Sequence, residues 1–108
     1  GRKVVCLDGD GASIMHMGNM AIAGRSSAAN LTHIVLNNAA HDSVGGQPTV
    51  GGEIDLRAIA EAVGYNRPGH PEFRQILVAK GARRDLGRPK EPPQVNKALF
   101  MKTLGLEV

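Results

Sequence analysis

Three short β-rich runs, Val4 to Leu7, Leu31 to Leu36 and Ile76 to Ala79, alternate with stretches of helical character, and that alternation constrains the fold of this chain more than any other feature. Continuous apolar runs of this length are the kind buried on both faces of a parallel sheet. Between the first two, residues from about Ala12 to Gly24 carry Ile14, Met15, Met17, Met20, Ala21 and Ala23. That pattern predicts a helix buried on most sides and stopped by Gly24. Asp55 is placed to cap a second helix whose apolar face uses Leu56, Ile59, Ala60 and Val63, with Gly64 ending it. After the third run, the proline-rich turn "RPKEPP" from Arg88 leads into a last helix through Leu99, Phe100 and Leu104. The order β-α-β-loop-α-β-α predicts an α/β layered fold. With 108 residues there is material for one domain, spanning 1–108, and not for two.

Composition narrows the function classes. The longest apolar runs fall far short of the ~18 residues a membrane span needs, so no membrane partner is expected. One cysteine makes no internal disulfide, and no basic-then-apolar leader opens the sequence, which together predict a cytoplasmic setting. Cys6, inside an apolar run, is expected to be a small buried hydrophobe. The net charge of +3 raises the question of nucleic acid. Most of the basic residues lie between Arg67 and Lys102, however, without the interleaved aromatics on which bases stack, so no nucleic-acid partner is expected. Arg83, Arg84 and Arg88 read as a solvated face ahead of a contact to an anionic substrate or a subunit, His33 as a strand histidine with its hydrogen bonds met, and His70 as part of a turn.

In an α/β fold, ligands sit beyond the carboxyl ends of the parallel strands. Gly9-Asp10-Gly11 falls at the end of the first run and Asn37-Asn38 at the end of the second. The segment 39–53, with Gly45, Gly46, Gly51 and Gly52 and one proline, is a loop too long to be idle in so small a domain. A dinucleotide fingerprint would need a further glycine where Ile14 stands, and an acidic ribose partner where the second run ends in asparagine. A phosphate loop would need a lysine, and none lies between Gly9 and Gly18. What Asp10 can do is bind a hard cation. Asp10 offers a carboxylate, the asparagine pair an amide oxygen and the nearby backbone a carbonyl, three ligands of the type magnesium accepts while its other positions hold water and phosphate oxygens. The flanking glycines let the backbone approach such a phosphate, and the next helical turn offers free N–H groups. Taken alone, the same three residues read first as a strand-to-helix turn capped by Asp10.

Gly-Asp-Gly, twenty-five residues, then Asn-Asn resembles the cofactor motif of the thiamine-diphosphate-dependent enzymes. The stretches "NNAAHDSVGGQPT" and "GARRDLGRP" are similar to the decarboxylases in that family that act on phosphonopyruvate and, as near relatives, on sulfopyruvate. The resemblance runs from "VVCLDGDGASIMHMG" to "NKALFM". It implies the three-layer, mainly parallel thiamine-diphosphate-binding fold, apparently truncated, with this chain as part of the carboxyl-terminal diphosphate-binding domain. It implies Asp10, the side chain of Asn38 and the main-chain carbonyl of Ala40 as magnesium ligands, and Gly9, Gly11, Ala12 and Ser13 against the diphosphate.

The implied reaction is decarboxylation of a 2-keto acid, 3-phosphonopyruvate, to phosphonoacetaldehyde and carbon dioxide, with the cofactor as electron sink. His41, Asp42, Ser43 and Gln47 are the candidates to face that substrate, His41 as hydrogen-bond donor or proton carrier, or else to shape the loop. The resemblance further implies a pyrimidine-binding domain or subunit as partner and a homo-oligomeric assembly. Against the family pattern, the span between Gly64 and Ile76 is short by roughly one strand and one helix, and the pyrimidine-binding domain and an upstream strand-helix segment have no counterpart in these residues. The chain alone is therefore expected to be inactive. A truncated module with residual cofactor binding, or with a role in assembly, is the alternative to an enzyme part.

Overall fold

The computed structural model describes residues 1–106, so the expected span of 1–108 extends two residues beyond it. In chain order it contains β1 (Val4–Gly9), α1 (Asp10–Met15), α2 (Met17–Arg25), β2 (Leu31–Asn37), β3 (Ala40–His41), β4 (Gln47–Pro48), α3 (Leu56–Val63), β5 (Glu72–Leu77) and α4 (Pro93–Thr103). Two single-turn 3-10 helices, Asp42–Val44 and Val50–Gly52, lie in the long loop. The main sheet has the order β1-β2-β5 and is parallel throughout, and β3 and β4 form a separate antiparallel pair. The α/β class with a mainly parallel sheet is therefore what the chain adopts.

Each crossover steps one strand in the same direction, and right-handed crossovers that progress one way put their helices on the same face. The core lies there: Val35 and Phe73 from the sheet meet Met20 of α2, Leu56 and Ala60 of α3, and Tyr65 from the turn that follows. The opposite face presents Val5, Leu7, Leu36 and Ile76, all exposed. Two of the three expected layers are thus built by the described residues. The expectation that the Val4 to Leu7 run is buried on both faces is corrected, because Val4, Val5 and Leu7 are each at least half exposed, with β1 at the sheet edge and one face uncovered. Cys6 is likewise exposed rather than a buried hydrophobe.

The expected single helix from Ala12 to Gly24 starts earlier, at Asp10, and breaks at His16, whose φ of −123° and ψ of 36° leave helical space. Met20 is buried but Met15 and Ile22 are well exposed, so this segment is less enclosed than its composition suggests. Gly24 does not stop the helix. It lies where α2 and α3 touch, and a Cβ there would sit 2.8 Å from the Val63 carbonyl oxygen. Asp55 caps α3 as expected, its Oδ1 accepting from the Ala58 N–H at 2.9 Å, and Gly64 ends it with φ of 116°.

The third strand expected at Ile76 to Ala79 runs instead from Glu72 to Leu77. Glu72 and Arg74 disguised it, since they pair at 2.7 Å on the open face while Phe73 turns inward. The turn before it is held by Asn66, which adopts φ of 62° and accepts the Phe73 N–H at 2.8 Å. Leu99 and Phe100 of α4 are exposed, and the helix buries no residue. Among the described residues no helix is long and apolar enough to cross a membrane.

Candidate cofactor site

A cleft of 740 Å³ opens at the carboxyl ends of β1 and β2, lined by Gly9, Asp10, Gly11, Ala12, Asn38, Ala40, His41, Asp42 and Ser43, with Val78, Ala79 and Gly81 past the end of β5. This is where a parallel sheet leaves room for a ligand. Asp10, the first residue of α1, is 1% exposed overall. Its Oδ2 accepts a hydrogen bond from the Thr49 hydroxyl, and the same Thr49 oxygen accepts the Gly51 N–H at 3.1 Å. A hydroxyl donates one bond and accepts others, so Thr49 ties the carboxylate to the turn that follows.

Gly51 sits against this carboxylate so closely that a Cβ would overlap Asp10 Oδ2 and lie 2.9 Å from Asn37 Oδ1. Asn37 is buried and structural. Its Nδ2 donates to the Gly51 carbonyl at 2.7 Å, and its Oδ1 accepts the Ala39 N–H at 2.9 Å. Ala39 is held at φ of 54°, unusual for a residue with a Cβ, and its carbonyl accepts from the Thr49 N–H at 2.9 Å. Backbone strain of this kind persists where surrounding bonds over-determine it. Here it turns Asn38 and Ala40 towards the cleft.

The Asn38 amide is oriented by two bonds. Its Nδ2 donates to Asp42 Oδ2 at 3.0 Å and its Oδ1 accepts the Ala40 N–H at 3.1 Å, leaving the second lone pair of that oxygen free. Opposite Ala40 in the β3-β4 pair stands Pro48, which has no N–H to give to the Ala40 carbonyl. Asp10, Asn38 and Ala40 therefore line one cleft, and between them they carry a carboxylate, an amide oxygen and a backbone carbonyl, hard donors of the kind that suit magnesium.

The other expected site residues divide. The His41 ring packs on Gly11, where a Cβ would come within 2.5 Å of Cε1, so glycine is required for the imidazole to lie there. Asp42 serves the scaffold, accepting from Asn38 and from the Gly81 N–H at 2.6 Å. Ser43 lines the cleft, whereas Gln47, on β4, does not. Gly9 and Ala12 line it too, but Ser13 faces a different cavity on the helix-covered side. Sequence reasoning missed Thr49 and Gly51, and the length and glycine content of the 39–53 loop were their only signal.

That second cavity, of 260 Å³, holds a polar cluster. His33, a strand histidine with both ring nitrogens engaged, lies 2.8 Å from Asp8 Oδ2 and 3.3 Å from the Tyr65 hydroxyl. Desolvation, with the Asp8 carboxylate adding to it, raises the Cys6 thiol above its ordinary value. Burial, with Cys6 and Asp8 adding to it, raises the Tyr65 phenol.

Comparison with known proteins accords with this cleft. Residues 1–102 match the family described as thiamine pyrophosphate enzyme, C-terminal TPP binding domain. The chain is 37% identical to a phosphonopyruvate decarboxylase of Streptomyces viridochromogenes, over 85% of its own length and 28% of that protein's. It is 42% identical to a sulfopyruvate decarboxylase subunit beta of Methanothermobacter thermautotrophicus, over 60% of its own length and 35% of the relative's. It spans, then, about a third or less of these relatives. The first match aligns 112 residues while covering only 85% of this 108-residue chain, so the Streptomyces protein carries residues inside the matched span that this chain lacks. A parallel sheet with its cleft at the strand ends, a Gly-Asp-Gly at one of those ends and the family match over nearly every residue lead to one assignment: the chain belongs to the thiamine pyrophosphate enzymes and carries their carboxyl-terminal cofactor-binding domain.

Proposed function

We propose that this chain binds the magnesium-diphosphate end of thiamine diphosphate and supplies that half of the site to a 2-keto acid decarboxylase acting on 3-phosphonopyruvate. The observation that supports the proposal is that Asp10, Asn38 and Ala40, each able to offer an oxygen, line the same cleft. In this reading Asp10, the Asn38 amide oxygen and the Ala40 carbonyl hold magnesium, and Gly9, Gly11 and Ala12 lie against the diphosphate. When bound, thiamine diphosphate supplies the electron sink for loss of carbon dioxide.

The residues of the chain do the placing. Thr49 fixes one carboxylate oxygen of Asp10 and thereby aims the other. Asp42 holds the Asn38 amide so that oxygen, not nitrogen, is presented. His41, packed on Gly11 beside the cleft, is placed to donate a hydrogen bond to an anionic substrate oxygen, and Ser43 is a second donor. The phosphonate is favoured over the sulfonate because the match to the phosphonopyruvate decarboxylases covers more of this chain. Activation of the cofactor's aminopyrimidine falls to a pyrimidine-binding domain or subunit, and a homo-oligomer in the cytoplasm is the assembly we assign. The word "subunit" in the names of the sulfopyruvate relatives supports a partner chain.

The test is to join the chain to a pyrimidine-binding partner and measure carbon dioxide release from phosphonopyruvate and sulfopyruvate. The proposal expects a higher kcat/KM for the phosphonate and its loss in Asp10→Ala. Turnover of neither acid by a folded, cofactor-loaded assembly would discard the decarboxylase assignment.

A further inference from the structure

On the helix-covered face three side chains outside the expected magnesium ligands meet, Cys6, His33 and Asp8, of which Asp8 also lines the cleft. Cys6 of β1 stands opposite His33 of β2, and Asp8, two residues along, points the same way. One donor atom from each, the Cys6 sulfur, an Asp8 carboxylate oxygen and a His33 ring nitrogen, lies within 4.8 Å of the others. Cys6 Sγ is 3.8 Å and His33 Nε2 is 2.8 Å from the same Asp8 Oδ2. The cluster opens on the 260 Å³ cavity, which is also lined by Ser13, His16 and Met20. There the Ser13 hydroxyl, in a residue only 5% exposed, has no hydrogen-bond partner. A buried polar atom left unpaired calls for an explanation, and an unrecorded ligand is one.

We propose that Cys6, Asp8 and His33 form a second cation site, for a borderline-soft divalent ion of the zinc class. Thiolate, imidazole and carboxylate are the donors zinc takes, at roughly 2.0 to 2.3 Å, and three of them leave the fourth tetrahedral position open. Bond lengths of that order place donors roughly 3.3 to 3.8 Å apart, so the cluster needs only small side-chain movements to close on an ion. The cavity beside the cluster, which Ser13 also lines, leaves room for a ligand at that position. Tyr65 supplies the outer contact a metal-bound histidine requires, its hydroxyl 3.3 Å from Nδ1. On binding, the thiol proton leaves to solvent. The imidazole binds through Nε2, and Nδ1–H is donated to the Tyr65 oxygen. Magnesium, which selects oxygen donors, does not compete here, so the two sites sort two classes of cation.

The experiment is a titration of the chain with cobalt(II) under a non-chelating reductant, read as the thiolate-to-cobalt charge-transfer absorption. One equivalent is expected to bind, to be displaced by zinc, and to persist in Asp10→Ala, which separates this site from the cleft. Cys6→Ala abolishes the band with no change in circular dichroism, since Cys6 is exposed. Tyr65→Phe weakens cobalt binding by about 10- to 100-fold. Absence of a thiolate band in the folded chain, or its survival in Cys6→Ala, overturns the proposal.

Discussion

At the scale of single residues, Asp10 stood out in the sequence because it lies between two glycines where an apolar run ends, and only a few chemistries place a carboxylate there. Thr49 did not stand out, since its partner is 39 positions away and a lone threonine in a loop has no local signature. Thr49→Val keeps the shape and removes the hydroxyl. It is expected to lower magnesium-dependent affinity for thiamine diphosphate by about 10- to 100-fold and to cost about 1 to 3 kcal/mol in stability, because a buried carboxylate loses its partner. Titration calorimetry and urea unfolding read the two effects separately. Tyr65 gives a pH dependence. Its phenol pKa is raised in the folded chain, so folding holds that proton more tightly than the unfolded chain does. The contribution is complete below the unfolded value of about 10 and is lost as pH rises through the folded value. Stability is expected to fall above about pH 10, and Tyr65→Phe to flatten that fall in denaturant titrations at stepped pH.

At the scale of elements, periodicity and capping found α3 within a residue because its signals are local: Asp55, the apolar spacing and Gly64 all lie within ten positions. It missed the start of β5, because Glu72 and Arg74 face the uncovered side and read as loop until Phe73 is seen in the core. It also misread Gly24, whose role is set by a close approach between α2 and α3 that no window of sequence contains. Gly24→Ala is expected to cost about 1 to 3 kcal/mol, since its Cβ would meet the Val63 carbonyl at 2.8 Å and Tyr65 Cδ2 at 3.0 Å. The urea midpoint measures it. By contrast, Leu56→Ala is expected to cost about 2 to 5 kcal/mol by opening a cavity, because Leu56 is fully buried between sheet and helix.

At the scale of the whole molecule, the direction of winding explains what is exposed. Both crossovers lie on one face, so the other face keeps Val5, Leu7, Leu36 and Ile76 at the surface beside the free edge of β1. An apolar face next to an unpaired edge favours association. Sedimentation at micromolar concentration is expected to show species larger than the monomer, and a single sharp monomer would contradict that. The layered class was legible from the alternation of runs, while the uncovered face was not, because burial depends on which strands flank β1 rather than on its own sequence.

In the proposed function Asp10, Asn38 and Ala40 hold magnesium on a diphosphate. Calorimetric titration of thiamine diphosphate into the chain, with and without magnesium and beside Asp10→Ala, tests it most directly. Binding is expected to need the ion and to fall at least about tenfold in the variant. Binding indifferent to magnesium or to Asp10, or none by a chain shown to be folded, would contradict it.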